Sequence, residues 1–257
     1  MLPENTVSQK FKDKLKNAVL YSSAVTVSIA LDCPAEELGL SQELVSISKE
    51  GLKRNDHDCG DPLISDIVVI APSTRDKSLT PEGKGLITFL IPAYIDYKNY
   101  WQTEKDEKGN FIRGEKYKKL KTEVAEILIK RVEKELAIDI KSHILFYDVS
   151  TPITYYRYTG NKNGTMMGAR AGKENMQAKI AHHQTVIKNL ILAGHWSDLG
   201  GGVPISVKAA INAVLLVLKK DKKESFKLMA KYMDGKIDVS QVNSSKLVKN
   251  YNNSWTN

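Results

Sequence analysis

Residues 189–218, NLILAGHWSDLGGGVPISVKAAINAVLLVL, place the atoms best suited to chemistry at one end of a predicted helix. The apolar run 190–193 predicts a short buried strand, and the glycine-rich segment 194–202 predicts a turn. Pro204 then suits the first helical turn, because its φ is already helical and its missing N–H had no partner there. A helix start carries unpaired N–H donors and a partial positive charge, so it attracts phosphate or another electron-rich group. The consecutive glycines at 200–202 have no side chains, so a flat ligand can contact backbone at this turn.

Other sets of catalytic residues are scarce. His182 and His183 are adjacent and would point about 100° apart on a helix, which favours a surface pair over a metal site. His57 lies between aspartates in a polar loop, where a solvated turn is favoured. Cys33 and Cys59 lack metal-ligand spacing, so no metal site is predicted and the thiols are expected to be structural in a reducing compartment. The chain also has no nucleophile elbow, zinc-protease motif, P-loop or Gly-x-Gly-x-x-Gly fingerprint.

Composition limits the classes of partner. The net charge of +8 raises the question of nucleic acid, but the lysines are interspersed with acids as in EKYKKLKTEVAEILIKRVEKE, which is typical of a solvated surface. We therefore expect no nucleic-acid partner. The N-terminus has charges where a secretion signal needs an apolar run. The apolar run after Pro204 is interrupted by Lys208 and Asn212, so a soluble, cytoplasmic protein is expected, with any membrane contact confined to its periphery.

The hydrophobic pattern predicts alternating helices and strands. Apolar residues that recur about every fourth position predict helices, and those that recur every second position predict strands. No internal repeat is visible. The segment 151–172 is rich in glycine, tyrosine and methionine and has no clear hydrophobic period, which predicts a functional loop. The predicted elements are a helix over 4–20, strands over 24–31, 64–71, 85–91 and 138–149, a loop over 96–114, a long helix over 115–136, a helix or loop over 174–184, a final helix after 218 and a tail over 241–257.

The segment NLILAGHWSDLGGGVP closely resembles the C-terminal flavin signature of the carotenoid desaturase, carotenoid isomerase and retinol saturase group of FAD-dependent oxidoreductases, which is related to phytoene dehydrogenase. Three weaker features resemble the same group in the same order: SSAVTVSIALD, SDIVVIAPSTRDKSLTPEGK and TPITYYRYTGNKNGTMMG. The resemblance covers about residues 22–218. It departs from the group's pattern in two ways, because the chain has no Rossmann-type segment and because Met167 replaces the usual tyrosine before Gly168.

The resemblance implies an α/β fold, in which a mixed, largely antiparallel substrate-domain sheet with helices is followed by the C-terminal strand, turn and helix of an FAD-binding domain. The implied domains are a substrate-binding portion over 1–148, a flavin-facing loop with strand, turn and helix over 149–220, and a C-terminal helix and tail over 221–257. The implied cofactor-binding residues are Gly194, His195, Trp196, Gly200, Gly201, Gly202, Val203 and Pro204. The implied residues at the substrate entry, where core packing is an equal alternative, are Tyr155, Tyr156, Tyr158, Met166 and Met167.

The function implied by the resemblance is that of the substrate-binding and flavin-capping part of an oxidoreductase or isomerase acting on long apolar polyenes such as carotenoids or retinoids. FAD is the expected cofactor in the full-length context, and the missing Rossmann half is the expected partner, in cis or as a separate subunit. No catalytic base can be assigned. The alternative is a non-catalytic module that binds an apolar ligand or a partner and does not hold flavin by itself.

Overall fold

The computed structural model describes residues 6–180, 182–185, 187–198 and 200–247. It confirms the expected class, a mixed α/β fold with an antiparallel five-stranded sheet. The chain forms two compact units: a sheet unit, Leu20–Met167, and a helical unit made of Met1–Val19 and Gly168–Asn257. The domain boundaries that the resemblance implies, after residues 148 and 220, stay a prediction.

The strands all lie in the sheet unit. Each pairs antiparallel with its neighbours, and the main sheet has the order β2-β3-β4-β1-β7, while β5 and β6 form a separate hairpin. The strands are β1 (Ser23–Leu31), β2 (Leu44–Ile47), β3 (Ile67–Ile70), β4 (Gly85–Ala93), β5 (Glu104–Lys105), β6 (Phe111–Ile112) and β7 (Ile144–Ser150). The predicted strands over 24–31, 64–71, 85–91 and 138–149 correspond to β1, β3, β4 and β7, whereas β2 was not predicted.

The helices are divided between the units. Those of the sheet unit are α2 (Arg54–His57), α3 (Tyr97–Gln102), α4 (Glu115–Leu136) and α5 (Pro152–Thr159), and those of the helical unit are α1 (Gln9–Lys16), α6 (Lys173–Ala178), α7 (Val203–Asp221), α8 (Lys223–Met233) and α9 (Val239–Asn243). Among the described residues, no helix combines the length and apolar character that a membrane span requires.

The core of the sheet unit lies between one face of the sheet and α4. Alternate residues of β1 and β4 are buried, so that Val27 pairs with Phe89 and Ile29 with Ile87 at full burial. The apolar stripe of α4, which includes Leu128, packs into the same cluster. The long helix predicted over 115–136 is confirmed, because its period of nearly four residues covers a continuous apolar face.

Two segments predicted as loops contain helical turns. The turn α3 is left-handed, with φ between 42° and 59° from Lys98 to Gln102, a conformation that costs about 1–2 kcal/mol per residue. Trp101 holds it, since its side chain is buried and its Nε1 donates to the carbonyl oxygen of Tyr94 at 3.0 Å. In the segment 151–172, α5 begins where the N–H of Thr151 donates to Oγ1 of Thr154 at 3.1 Å.

The predictions for the chain ends are met only in part. The helix predicted over 4–20 is limited to α1, and residues 4–5 lie outside the described residues. The segment predicted as a tail, 241–257, includes the end of α9, and its residues 248–257 also lie outside the described part of the chain. The helix predicted after 218 is present as α8.

Candidate functional site

The start of α7 is shaped by glycine. Gly200 and Gly202 have φ of +119° and +90°, values that side chains other than glycine rarely adopt. Gly202 is the N-cap residue, and within the described residues no side chain caps the helix there. The first helical residues, Val203 and Pro204, are exposed. The predicted helix start is therefore confirmed, and its first residues lie at an exposed position without a side-chain cap from the described part of the chain.

Upstream of α7, residues 194–197 form a tight turn. The main-chain N–H and the hydroxyl of Ser197 both donate to the carbonyl oxygen of Gly194, at 3.0 and 2.8 Å. The rings of His195 and Trp196 are tilted against each other, with centroids 6.0 Å apart. The turn thus sets the backbone of His195 and Trp196 a few positions before the glycines.

His195 lies against Gly168 of the same unit. A Cβ atom on Gly168 would come within 2.4 Å of the carbonyl oxygen of His195, so only glycine fits there. Nε2 of His195 is buried and has no hydrogen-bond partner among the described residues. A buried polar nitrogen without a partner is costly, which makes this atom a position where a ligand would restore a hydrogen bond.

The predicted buried strand over 190–193 is wrong. Ile191 makes a single antiparallel bridge with Gln184, and Leu190 and Leu192 are each 37% exposed. The segment is held instead by side-chain contacts such as that of Thr185, whose hydroxyl donates to the carbonyl oxygen of Leu190 at 2.9 Å. The leucines of this apolar run face a cavity and are not packed into a sheet.

This cavity, here called the apolar cavity, lies within the helical unit and has a volume of about 350 Å³. One wall is the face of α1 and the segment before it, and the other wall is the segment that leads to the turn at 194–197. Its lining residues are Val7, Phe11, Leu15, Ile180, His182, Gln184, Thr185, Ile187, Leu190, Leu192 and Trp196. The sequence predicts a site residue at Trp196 and a period of four in α1, but no sequence signal connects the two.

The residues predicted at the substrate entry belong to the sheet unit. Tyr155, Tyr156 and Tyr158 lie on α5, where Tyr158 is 75% exposed and Tyr156 packs edge-on against Phe111. Met166 and Met167 are half-buried in the segment after α5. Tyr156 also lines a second cavity, of about 350 Å³, with Asn110, Phe111, Arg113, Ile153, Arg157 and Gly160. A role of these residues at a substrate entry stays a prediction.

Comparison with known proteins gives a partial match. No protein-family model matches the chain. Over 139 residues it is 30% identical to the chloroplastic prolycopene isomerase of Daucus carota, and over 137 residues it is 27% identical to that of Arabidopsis thaliana. These alignments cover 53% of this chain but only 20% and 21% of the two relatives, so the chain spans about a fifth of the length of the curated relatives it matches. The chain is therefore similar to prolycopene isomerases over about half of its own length.

Proposed function

We propose that this chain supplies the substrate-binding and flavin-capping part of an FAD-dependent oxidoreductase or isomerase that acts on long apolar polyenes such as carotenoids or retinoids. The similarity to prolycopene isomerases supports a polyene as the substrate class. The resemblance of 189–204 to a flavin signature supports FAD as the cofactor. The observation that carries the proposal is the accessible, glycine-bounded start of α7, which lies just after a turn that lines an apolar cavity.

The residues at the start of α7 fit a flavin. Gly200, Gly201 and Gly202 leave backbone accessible to a flat ring, and the positive end of α7 favours the negative charge that a reduced flavin carries. Nε2 of His195, which precedes these glycines in the chain, is a buried hydrogen-bonding atom without a partner among the described residues. When bound, FAD would supply hydride transfer to or from a carbon of the polyene. The protein's part is to orient the ring and to keep water from it.

The apolar cavity fits part of a polyene. Its volume of about 350 Å³ falls in the range of small-ligand sites, roughly 300–1,000 Å³. His182 is the one titratable side chain among its lining residues, so the cavity offers no fixed charge that a hydrocarbon would leave unpaired. Trp196 belongs both to the cavity and to the turn before α7, so an apolar ligand in the cavity would contact one of the residues proposed to bind the flavin.

An exposed stripe on α7 fits the proposed partner, the dinucleotide-binding portion. Apolar residues at alternating spacings of four and three are all solvent-exposed, with Val203 at 76% and Val214 at 54%. The stripe consists of Val203, Val207, Ala210, Val214 and Val217. A row of apolar residues along one helix face is typical of a helix that packs against another element. We propose that the dinucleotide-binding portion, in cis or as a separate subunit, covers it.

Polyene binding can be tested with all-trans-retinol as the probe. Retinol should quench part of the tryptophan fluorescence of the chain, because Trp196 lines the cavity, and Leu192→Asp should abolish saturable binding by placing a charge in the cavity. Leu145→Asp changes an exposed leucine of the sheet unit and serves as the matched control, since it should leave binding intact. No saturable binding to the unmodified chain, or equal loss in both variants, would contradict a polyene site in this cavity.

Flavin binding separates the proposal from its alternative, a module that binds an apolar ligand or a partner without flavin. We expect the purified chain alone to show no flavin absorbance, and a fusion to the dinucleotide-binding portion of a prolycopene isomerase to show it. Gly201→Val should remove that absorbance, because Gly201 has no positive φ and a side chain there obstructs the ligand without backbone strain. Retinol binding with no flavin in the fusion would favour the alternative.

A further inference from the structure

Three side chains of metal-ligating type meet at one end of the sheet unit. Asp32, Cys33 and His143 each offer one ligand atom, and these atoms all lie within 4.8 Å of one another. Nδ1 of His143 is 2.8 Å from Oδ1 of Asp32, and Cys33 is a free cysteine that is only 8% exposed. Within the described residues, no other three His, Cys, Asp or Glu side chains come together in this way.

The fold places these residues side by side although they are 111 positions apart at the widest. Leu31 and Ile144 pair at the end of β1 and the start of β7, and the N–H of Asp32 donates to the carbonyl oxygen of His143 at 3.0 Å. Asp32 and His143 are thus cross-strand neighbours. No spacing motif could show this arrangement, which is why the sequence predicted no metal site.

The position of Cys33 is fixed by a close approach of the backbone. The chain bends at Asp32 and Cys33, and a Cβ atom on Gly85 would lie 2.5 Å from the carbonyl oxygen of Cys33. Because Gly85 has no side chain, the segment can lie directly against β4. The thiol is therefore held next to the cross-strand pair by the backbone around it.

The three ligand types specify the ion. A thiolate, an imidazole and a carboxylate together suit zinc, which prefers four ligands in a tetrahedron at about 2.0–2.3 Å. Ligand atoms around such an ion are roughly 3.3–3.7 Å apart, and in this cluster Nδ1 of His143 and Oδ1 of Asp32 are 2.8 Å apart while all three atoms lie within 4.8 Å of one another. We propose that Asp32, Cys33 and His143 bind one zinc ion, with water as the fourth ligand.

The charges around the cluster have opposing effects on such an ion. The carboxylate of Glu37 lies close enough to Cys33 to act on its thiol and attracts a cation, whereas Lys84, whose Nζ donates to the carbonyl oxygen of Asp32 at 3.2 Å, repels it. Burial, followed by the charges of Asp32 and Glu37, raises the pKa of the Cys33 thiol. Zinc must therefore displace the sulfur proton when it binds.

Cobalt(II) titration of the full chain tests the site, because cobalt takes the place of zinc and shows a thiolate charge-transfer band only when sulfur is a ligand. We expect one equivalent of cobalt to produce the band and one equivalent of zinc to remove it. Cys33→Ser should abolish the band. His143→Asn, at a half-exposed position, should weaken zinc binding by at least about tenfold, since even residues outside the ligand sphere act on that scale.

Cys59→Ser is the matched control. Cys59 is the chain's other free cysteine and lies near the hydrogen-bonded pair His57 and Asp66, but it does not belong to the cluster. It should keep the band at full intensity, and circular dichroism should show that all variants are folded. Cobalt binding without the band, a band that survives Cys33→Ser, or a band lost in Cys59→Ser would each overturn the proposal. Those results would leave Asp32 and His143 as a hydrogen-bonded pair on the surface.

Discussion

The sheet unit and the helical unit bury very different amounts of apolar side chain. The sheet unit has a continuous core that includes Phe89, Trp101 and Leu128. In the described part of the helical unit, the buried apolar residues are Ala169, Ile180, Ala209 and Ala213, while the larger valines of α7 are exposed. The sheet unit therefore has a core of its own, whereas the helical unit presents apolar surface to a cavity and to solvent, as a binding element does.

The largest expected effect lies in the sheet core. Phe89→Ala should lower the free energy of unfolding of the sheet unit by about 3–5 kcal/mol, because it opens a cavity on the central strand β4. Phe146→Ala is the matched control, since Phe146 is 70% exposed on the edge strand β7 and should change stability by less than about 0.5 kcal/mol. Urea denaturation followed by circular dichroism measures both. Equal losses in the two variants would mean that the core of this unit is not where the structure places it.

A smaller effect is expected on the two faces of α7. Ala213→Leu should destabilise the helical unit by about 1–3 kcal/mol, because the added volume has to enter a packed face. Ala210→Leu makes the same chemical change on the exposed stripe and should cost less than about 0.5 kcal/mol. Amide hydrogen exchange over α7 measures the difference. Matching losses of protection would show that the stripe is already covered within this chain.

The smallest effect is a pH dependence. Burial, followed by the charges of Asp61 and Glu123, raises the pKa of Tyr97 above its ordinary value of about 10. The native state therefore favours the neutral phenol, so this stability is fully present below about pH 10 and is lost as the pH rises through the folded-state pKa. Tyr97→Phe should flatten the fall in the unfolding midpoint above about pH 10. Tyr158→Phe, at an exposed position, should leave the fall unchanged.

The sequence predicted best the elements whose burial is regular. The helix α4 and the strands β1 and β4 have periods close to four and two over their whole lengths, and their predicted ranges agree closely with the structure. The start of α7 was also predictable, because Gly202 and Pro204 have conformations that set a helix start.

Other features depend on contacts that sequence periodicity does not encode. The helix α5 buries only Pro152 and Ile153, so its tyrosines give no apolar stripe. The leucines at 190 and 192 face the apolar cavity, which exists only when α1 lies opposite them. The grouping of Asp32 with His143 requires strand pairing between distant parts of the chain.

The strand order also has a consequence for how the chain folds as it is synthesised. Within the main sheet, β1 is made before the other strands, but its partners are β4 and β7, and β7 is the last strand of the sheet to be made. The edge of β1 that faces β4 can pair first, but the edge that faces β7 stays unpaired until Ile144, which lies far along the chain from Leu31, has been made. A nascent chain that stops before residue 144 would expose β1 along one edge, and that edge is where a chaperone or a second nascent chain would bind first.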